Sequence, residues 1–228
     1  MTEDLPTPPL PGFRTWRSAL TLDPAESERC SDAHHLYHLI LSGFEGVTTD
    51  AGSSGRPAHV LFAPARQEPP AAGRPLKVLV QSPQEPNWQP LLGDGRVSGA
   101  RTFTTDCTYR AGQTLGLRVI ANPSRKLRSP KRRVSLTDPN QVRAWLHRRL
   151  LEHGLSAAMD DIDVGPPRWI GGTKESGDRF QLVTRTLHAG ATVLDATRVH
   201  DLLRGGLGQG KSYGCGLVLT HANGPTEQ

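Results

Sequence analysis

The order of strand-like and helix-like segments constrains this chain most, because the same order occurs twice. Residues 13–22 alternate apolar and polar side chains as a strand does. Residues 32–44 follow as a helix with Leu36, Leu39, Ile40, Gly43 and Phe44 on one side and Ser31 or Asp32 as its cap. Two β-like runs come next, 59–63 and 76–81, then a minimal helix within 85–92 and a strand over 101–108. The second half begins with a strand over 114–121 and an amphipathic helix over 139–152 that holds Val142, Trp145, Leu146 and Leu150 in register. Strands near 157–164 and 180–187, a hairpin return through 191–194, a helix over 195–204 and a strand over 213–220 complete it. Each half reads β-α-β-β-α-β, so the expected fold class is α+β, built as two tandem ferredoxin-like domains. The expected division is a flexible N-terminal segment 1–12, a first domain 13–108 and a second domain 109–228, each long enough to bury its own core. The loops 48–57 and 64–74, rich in Gly, Pro, Ser and Ala, are expected to be mobile.

The charge balance, 27 Lys and Arg against 22 Asp and Glu, favours a polyanionic partner without specifying one. Its distribution says more. Residues 125–133 place Arg125, Lys126, Arg128, Lys131, Arg132 and Arg133 within nine positions with no acid among them. Such a run is ordinarily a solvated loop, and nucleic acid is the main alternative. Three widely spaced cysteines, Cys30, Cys107 and Cys215, argue against a disulfide framework and against a CxxC metal site. The proline-rich start has no basic-then-apolar signal pattern, and no apolar run approaches membrane-spanning length, so a cytoplasmic protein with no membrane partner is expected.

Near the C-terminus, residues 205–219 pack six glycines around Lys211 before an apolar strand. Glycine-rich backbone lets a phosphate approach bare N–H groups, and a lysine adds a full charge, so Gly208, Gly210 and Lys211 are candidate phosphate contacts. The loop is not a P-loop, because a helix precedes it and a strand follows, the reverse of that motif. A helix C-cap followed by a bulged strand explains the same residues equally well.

The first helix carries His34, His35 and His38 beside Tyr37. Residues three or four apart share a helix face, so His34, Tyr37 and His38 project onto one patch and His35 points further away. The i, i+4 pair His34 and His38 has zinc-ligand spacing, but no Cys or acidic third ligand lies nearby in sequence, so neither a metal nor another cofactor is expected. Trp88 and Trp145 read as core anchors, and Trp169, among Pro166, Pro167, Arg168, Gly171 and Gly172, as an exposed residue able to meet a nucleic acid.

Several landmarks, in order along the chain, carry a resemblance: 32–38 (DAHHLYH) with Phe44, 78–81 (VLVQ) with 85–88 (EPNW), 117–123 (LRVIANP), 142–150 (VRAWLHRRL), and the glycine loop. The chain resembles the CasE family, the repeat-cleaving endoribonucleases of type I-E CRISPR systems. The resemblance implies two ferredoxin-like domains of the RNA-recognition type and an enzyme that binds the hairpin of the repeat RNA. It further implies metal-free cutting at the base of the stem, retention of the product, and assembly with the other subunits of the surveillance complex. Aligned without gaps over 32–44, the family's usual catalytic histidine falls on Tyr37 and its assisting tyrosine on His34, so the two residue types are exchanged. His34 is then the candidate general base or acid, Tyr37 its orienting or proton-donating neighbour, and His38 the reserve. Two other readings stay open: an RNA-binding subunit of the same assembly with little or no catalysis, and a protein-interaction scaffold with an incidental basic surface.

Overall fold

In the computed structural model, residues 12–44, 59–65, 73–126, 128 and 133–222 are described. The expected segment 1–12, apart from Gly12, lies outside them, as do the whole of loop 48–57 and residues 66–72 of the second expected loop.

The first half forms strand β1 (Gly12–Leu22), helices α1 (Pro24–Arg29) and α2 (Ala33–Leu41), strands β2 (Leu61–Pro64) and β3 (Lys77–Ser82), helix α3 (Gln89–Gly93) and strand β4 (Val97–Thr108). The strands make one antiparallel sheet in the order β2-β3-β1-β4. Leu36, Leu39 and Ile40 of α2 are buried with Leu20, Leu22, Phe62, Val78, Val80 and Trp88, the core that the helical and strand periodicities require. Trp88 is buried at 4 % exposure and donates from Nε1 to Ser18 Oγ at 2.9 Å. Gly43 lets this indole close over the end of α2, because a Cβ there would lie 2.1 Å from Trp88 Cζ3.

The second half forms β5 (Thr114–Ala121), a two-stranded ribbon of β6 (Ser124–Lys126) and β7 (Arg133–Ser135), helix α4 (Pro139–Glu152), strands β8 (Leu155–Ser156), β9 (Ile162–Val164), β10 (Arg168–Thr173) and β11 (Arg179–Val193), helix α5 (Ala196–Gly205) and strand β12 (Val218–Ala222). Its sheet runs β10-β11-β5-β12, with β8 and β9 also paired to β11. Helix α4 starts on Asp138, whose carboxylate accepts from the Gln141 N–H at 2.8 Å, and buries Val142, Trp145, Leu146 and Leu150 against this sheet.

The two halves meet at a seam in which Leu61 and Ala63 of β2 pack on Ile120, Cys215 and Leu217. Gln81 Nε2 crosses the seam to donate to the Leu203 carbonyl at 2.7 Å. Among the described residues no helix is long and apolar enough to cross a membrane.

The structure departs from the sequence reading at several elements. Helix α1 was not expected, yet Asp23 caps it through the Ala25 N–H and Pro24 occupies its first turn. Of the expected strand over 157–164 only Ile162–Val164 is strand, while 157–161 is irregular and turn and the two-residue β8 precedes it. The supposed return at 191–194 is instead the end of one 15-residue strand, because Gly190 pairs directly with Gly116 in mid-ladder. Residues 213–217 are not strand: Lys211–Tyr213 is a 3₁₀ turn between Gly210 (φ 77°) and Gly214 (φ 78°), and β12 begins only at Val218.

Candidate active site

Asp32 organises the site. Its Oδ1 accepts from the N–H groups of His34 (2.7 Å) and His35 (3.2 Å), starting α2, while its Oδ2 accepts from the Thr173 N–H at 2.9 Å. One carboxylate therefore starts the helix and ties it to the hairpin β10–β11 of the other half. Burial pushes the Asp32 carboxyl up, but the backbone N–H groups of Thr173, His35 and His34 outweigh it and hold the group below its ordinary range. Asp32 also bridges in parallel to Gly171. At Gly172 a Cβ would lie 2.5 Å from Asp32 Oδ1 and 3.0 Å from the His34 nitrogen, so the hairpin lies this close only because the residue is glycine.

On the surface so formed, His34 Nε2 and His38 Nε2 face each other at 3.0 Å. A hydrogen bond at that distance needs a proton on one nitrogen and a bare lone pair on the other. His34 Nδ1 is buried without a partner among the described residues. An orphaned buried N–H is the costlier state, so the tautomer with its proton on Nε2 is assigned to His34. His38 Nε2 also lies 3.5 Å from Glu175 Oε1, from the turn between β10 and β11. Burial and then the neighbouring His34 hold the His38 imidazole below its ordinary range, with Glu175 pulling the other way. His38 is therefore neutral near pH 7 and able to accept a proton.

Two phenols flank the pair. Tyr37 is stacked with His34 at 6.1 Å between ring centroids and edge-on to His38 at 5.3 Å. Tyr213, from the 3₁₀ turn of the glycine loop, stands 6.5 Å from His34 and packs on Phe180 at 4.1 Å. Burial, then Tyr37 and Asp32, push the Tyr213 phenol up, so it stays a neutral donor. A groove of about 510 Å³ opens here, lined by Arg29, Asp32, His34, His38, Thr173 and Glu175 among others.

His34, Tyr37 and His38 are thus brought together. His35 also lines the groove, but its Nε2 is engaged 2.7 Å from Glu26 Oε1 rather than with the histidine pair. The glycine-loop residues have structural work: a Cβ on Gly208 would meet the Trp145 ring, one on Gly210 would meet Leu182 and Cys215, and Lys211 Nζ donates to the Gly205 carbonyl at the end of α5. The basic run stands on the ribbon, where Arg125, Lys126, Arg128 and Arg133 are exposed, while Lys131 and Arg132 lie outside the described residues. No hydrogen bond, ion pair or ring contact recorded among the described residues joins the run to α2. Trp169 is 62 % exposed on β10. Glu175, Tyr213 and the second role of Asp32 were not found from sequence, because each depends on a contact between segments more than 130 positions apart.

Comparison with known proteins bears on this site. A model of the family described as "CRISPR associated protein" matches residues 15–221. CRISPR-associated endoribonuclease Cse3 of Thermus thermophilus is 30 % identical over 214 residues, covering 89 % of this chain and 98 % of the relative. CRISPR system Cascade subunit CasE of Escherichia coli is 27 % identical over 155 residues, covering 62 % of this chain and 72 % of the relative. Among solved structures, Thermus thermophilus Cse3 bound to an RNA representing a pre-cleavage complex superposes with a TM-score of 0.74 at 25 % identity, over 92 % of this chain and 100 % of the other.

Proposed function

This chain belongs to the Cse3/CasE family of CRISPR-associated endoribonucleases, and from that premise we propose that it binds the hairpin of a CRISPR repeat RNA and cuts the precursor at the base of the stem without a metal. The observation that carries the mechanism is the facing pair of imidazole nitrogens 3.0 Å apart. His38, kept neutral, takes the proton of the 2′-hydroxyl. The resulting oxyanion attacks the adjacent phosphorus, the bond to the 5′-oxygen breaks, and the histidine pair, now carrying the extra proton, returns one to that oxygen from His34 Nε2. The products are a 2′,3′-cyclic phosphate and a 5′-hydroxyl, with one proton taken and one returned. Tyr37 and Tyr213 orient the phosphate and donate hydrogen bonds to it.

Arg125, Lys126, Arg128, Lys131, Arg132 and Arg133 track the RNA backbone by charge, as A-form RNA hides its base edges and is held by phosphates and 2′-hydroxyls. Gly208, Gly210 and Lys211 are secondary phosphate contacts, since a phosphate there must draw Lys211 from the Gly205 carbonyl. The two sheets, with strand order β2-β3-β1-β4 in the first and β11-β5-β12 flanked by β8 and β9 in the second, support tandem ferredoxin-like domains over 13–108 and 109–228. The same reading has the cut RNA retained in a type I-E surveillance complex in the cytoplasm, and the Escherichia coli relative, a Cascade subunit by name, supports the assembly.

A 2′-deoxy substitution at the scissile nucleotide tests the reaction, because it removes the nucleophile and leaves nearly every binding contact. Gel-based cleavage should vanish while filter binding stays within about twofold, far less than the loss expected on removing several phosphate contacts. Cutting of the deoxy substrate would contradict the mechanism.

A further inference from the structure

The same lone pairs that accept protons also bind metals, and the hairpin supplies what the sequence around α2 lacks. His34, His38 and Glu175 each offer one ligand atom, and these three atoms all lie within 4.8 Å of one another. Two of the separations are 3.0 Å (His34 to His38) and 3.5 Å (His38 to Glu175). Tetrahedral zinc with bonds of about 2.0–2.1 Å places its ligand atoms roughly 3.3 Å apart, a value these separations bracket. Two histidines at i, i+4 on one helix, a carboxylate from another element and an open groove make a three-ligand set with room for a fourth, exchangeable ligand.

We propose that His34, His38 and Glu175 form a reversible site for a zinc-class divalent cation, and that filling it switches cleavage off. Inhibition rests on the nuclease reading above; binding does not. A bound ion needs both Nε2 atoms bare, so the bridging proton leaves that position for His34 Nδ1 or for solvent, and neither imidazole can then exchange protons with RNA. Mg²⁺, which prefers oxygen ligands and keeps its waters, does not compete for two imidazoles. The site is weaker than a structural zinc centre, with three protein ligands and no acceptor for His34 Nδ1 among the described residues.

A second group, Glu26, Cys30 and His35, also converges but is otherwise engaged. Glu26 is held by Arg96 Nη2 at 2.8 Å and His35 at 2.7 Å, and burial pushes the Cys30 thiol up to about 12, far from the thiolate a metal requires.

The test is titration of the metal-free full chain with Zn²⁺ against a chromophoric chelator, alongside hairpin cleavage at each free Zn²⁺ level. One ion per chain is expected. Affinity should fall by about tenfold or more in Glu175→Ala and in His38→Ala, and wild-type cleavage should stop on filling and return with EDTA but be untouched by Mg²⁺. Glu175 lies on a hairpin turn, so its variant should keep the fold even if His38→Ala does not. Zinc affinity unchanged in both variants, or cleavage undiminished at full occupancy, overturns the proposal. A chain that binds zinc through these residues yet cuts no RNA when metal-free would support the site and sink the nuclease reading instead.

Discussion

Replacing His34 with Ala should slow hairpin cleavage by about 10²–10⁴-fold, the range for losing a positioned acid or base, and leave hairpin affinity almost unmoved. Its Nδ1 is buried, so Nε2, which faces His38, is the nitrogen that can work. His38→Ala should be comparably severe, and the double variant scarcely worse than either alone, because residues acting as a unit are strongly non-additive. The pH profile carries the same logic. A base must be neutral to act, and His38 is held below the ordinary histidine range, so the rate should fall only once the pH drops beneath that range. Tyr37→Phe should be milder, since only a hydroxyl is lost, and Tyr37→His should be tolerated or faster. Single-turnover rates checked against separately measured affinity decide this. If neither histidine matters and Tyr37→His revives a sluggish wild type, the chain is a repeat-RNA binder that has lost most of its nuclease activity.

The second large effect should come from a residue with no reactive group. Gly172→Val places a Cβ 2.5 Å from Asp32 Oδ1 and 3.1 Å from the Phe180 ring. Asp32 cannot swing aside, because that oxygen caps α2 through two N–H groups while the other holds Thr173. The hairpin must lift from α2, taking Glu175 away from the histidine pair and Phe180 away from Tyr213. Displacement of about 1 Å is worth on the order of 10²-fold in rate, and overpacking costs about 1–3 kcal/mol of stability. Thermal unfolding beside single-turnover cleavage separates the two: a rate loss larger than any fall in folded population fits the hairpin as a positioning element. Wild-type rates in Gly172→Val would show that the hairpin contact is dispensable.

What could be read from the sequence followed local periodicity. The buried stripe Leu36, Leu39 and Ile40, the anchors Trp88 and Trp145 and the alternation of β1 all arise from neighbours in the chain. Helix α1 was missed although Asp23-Pro24 is a cap followed by a first-turn proline, because its six residues are too few for a periodic signal. The glycine loop could not be read from composition, for a different reason. Its positive-φ glycines serve close packing at the seam, where Gly206 approaches Leu61 and Gly214 approaches Phe62, and composition cannot separate that need from phosphate binding. The pairing of His34 with His38 followed from i, i+4 spacing. That Glu175 and Tyr213 complete the site did not, because strand pairing across the β10–β11 hairpin and the fold of the loop decide it.

The most direct test of the account is incubation of the purified wild-type chain with its repeat RNA in excess EDTA, followed by end-group analysis of the products. The account predicts one cut at the base of the stem, with a 2′,3′-cyclic phosphate on the upstream piece and a 5′-hydroxyl on the downstream piece. Intact RNA under these conditions together with cutting restored by Mg²⁺, or products bearing a 5′-phosphate, would contradict it.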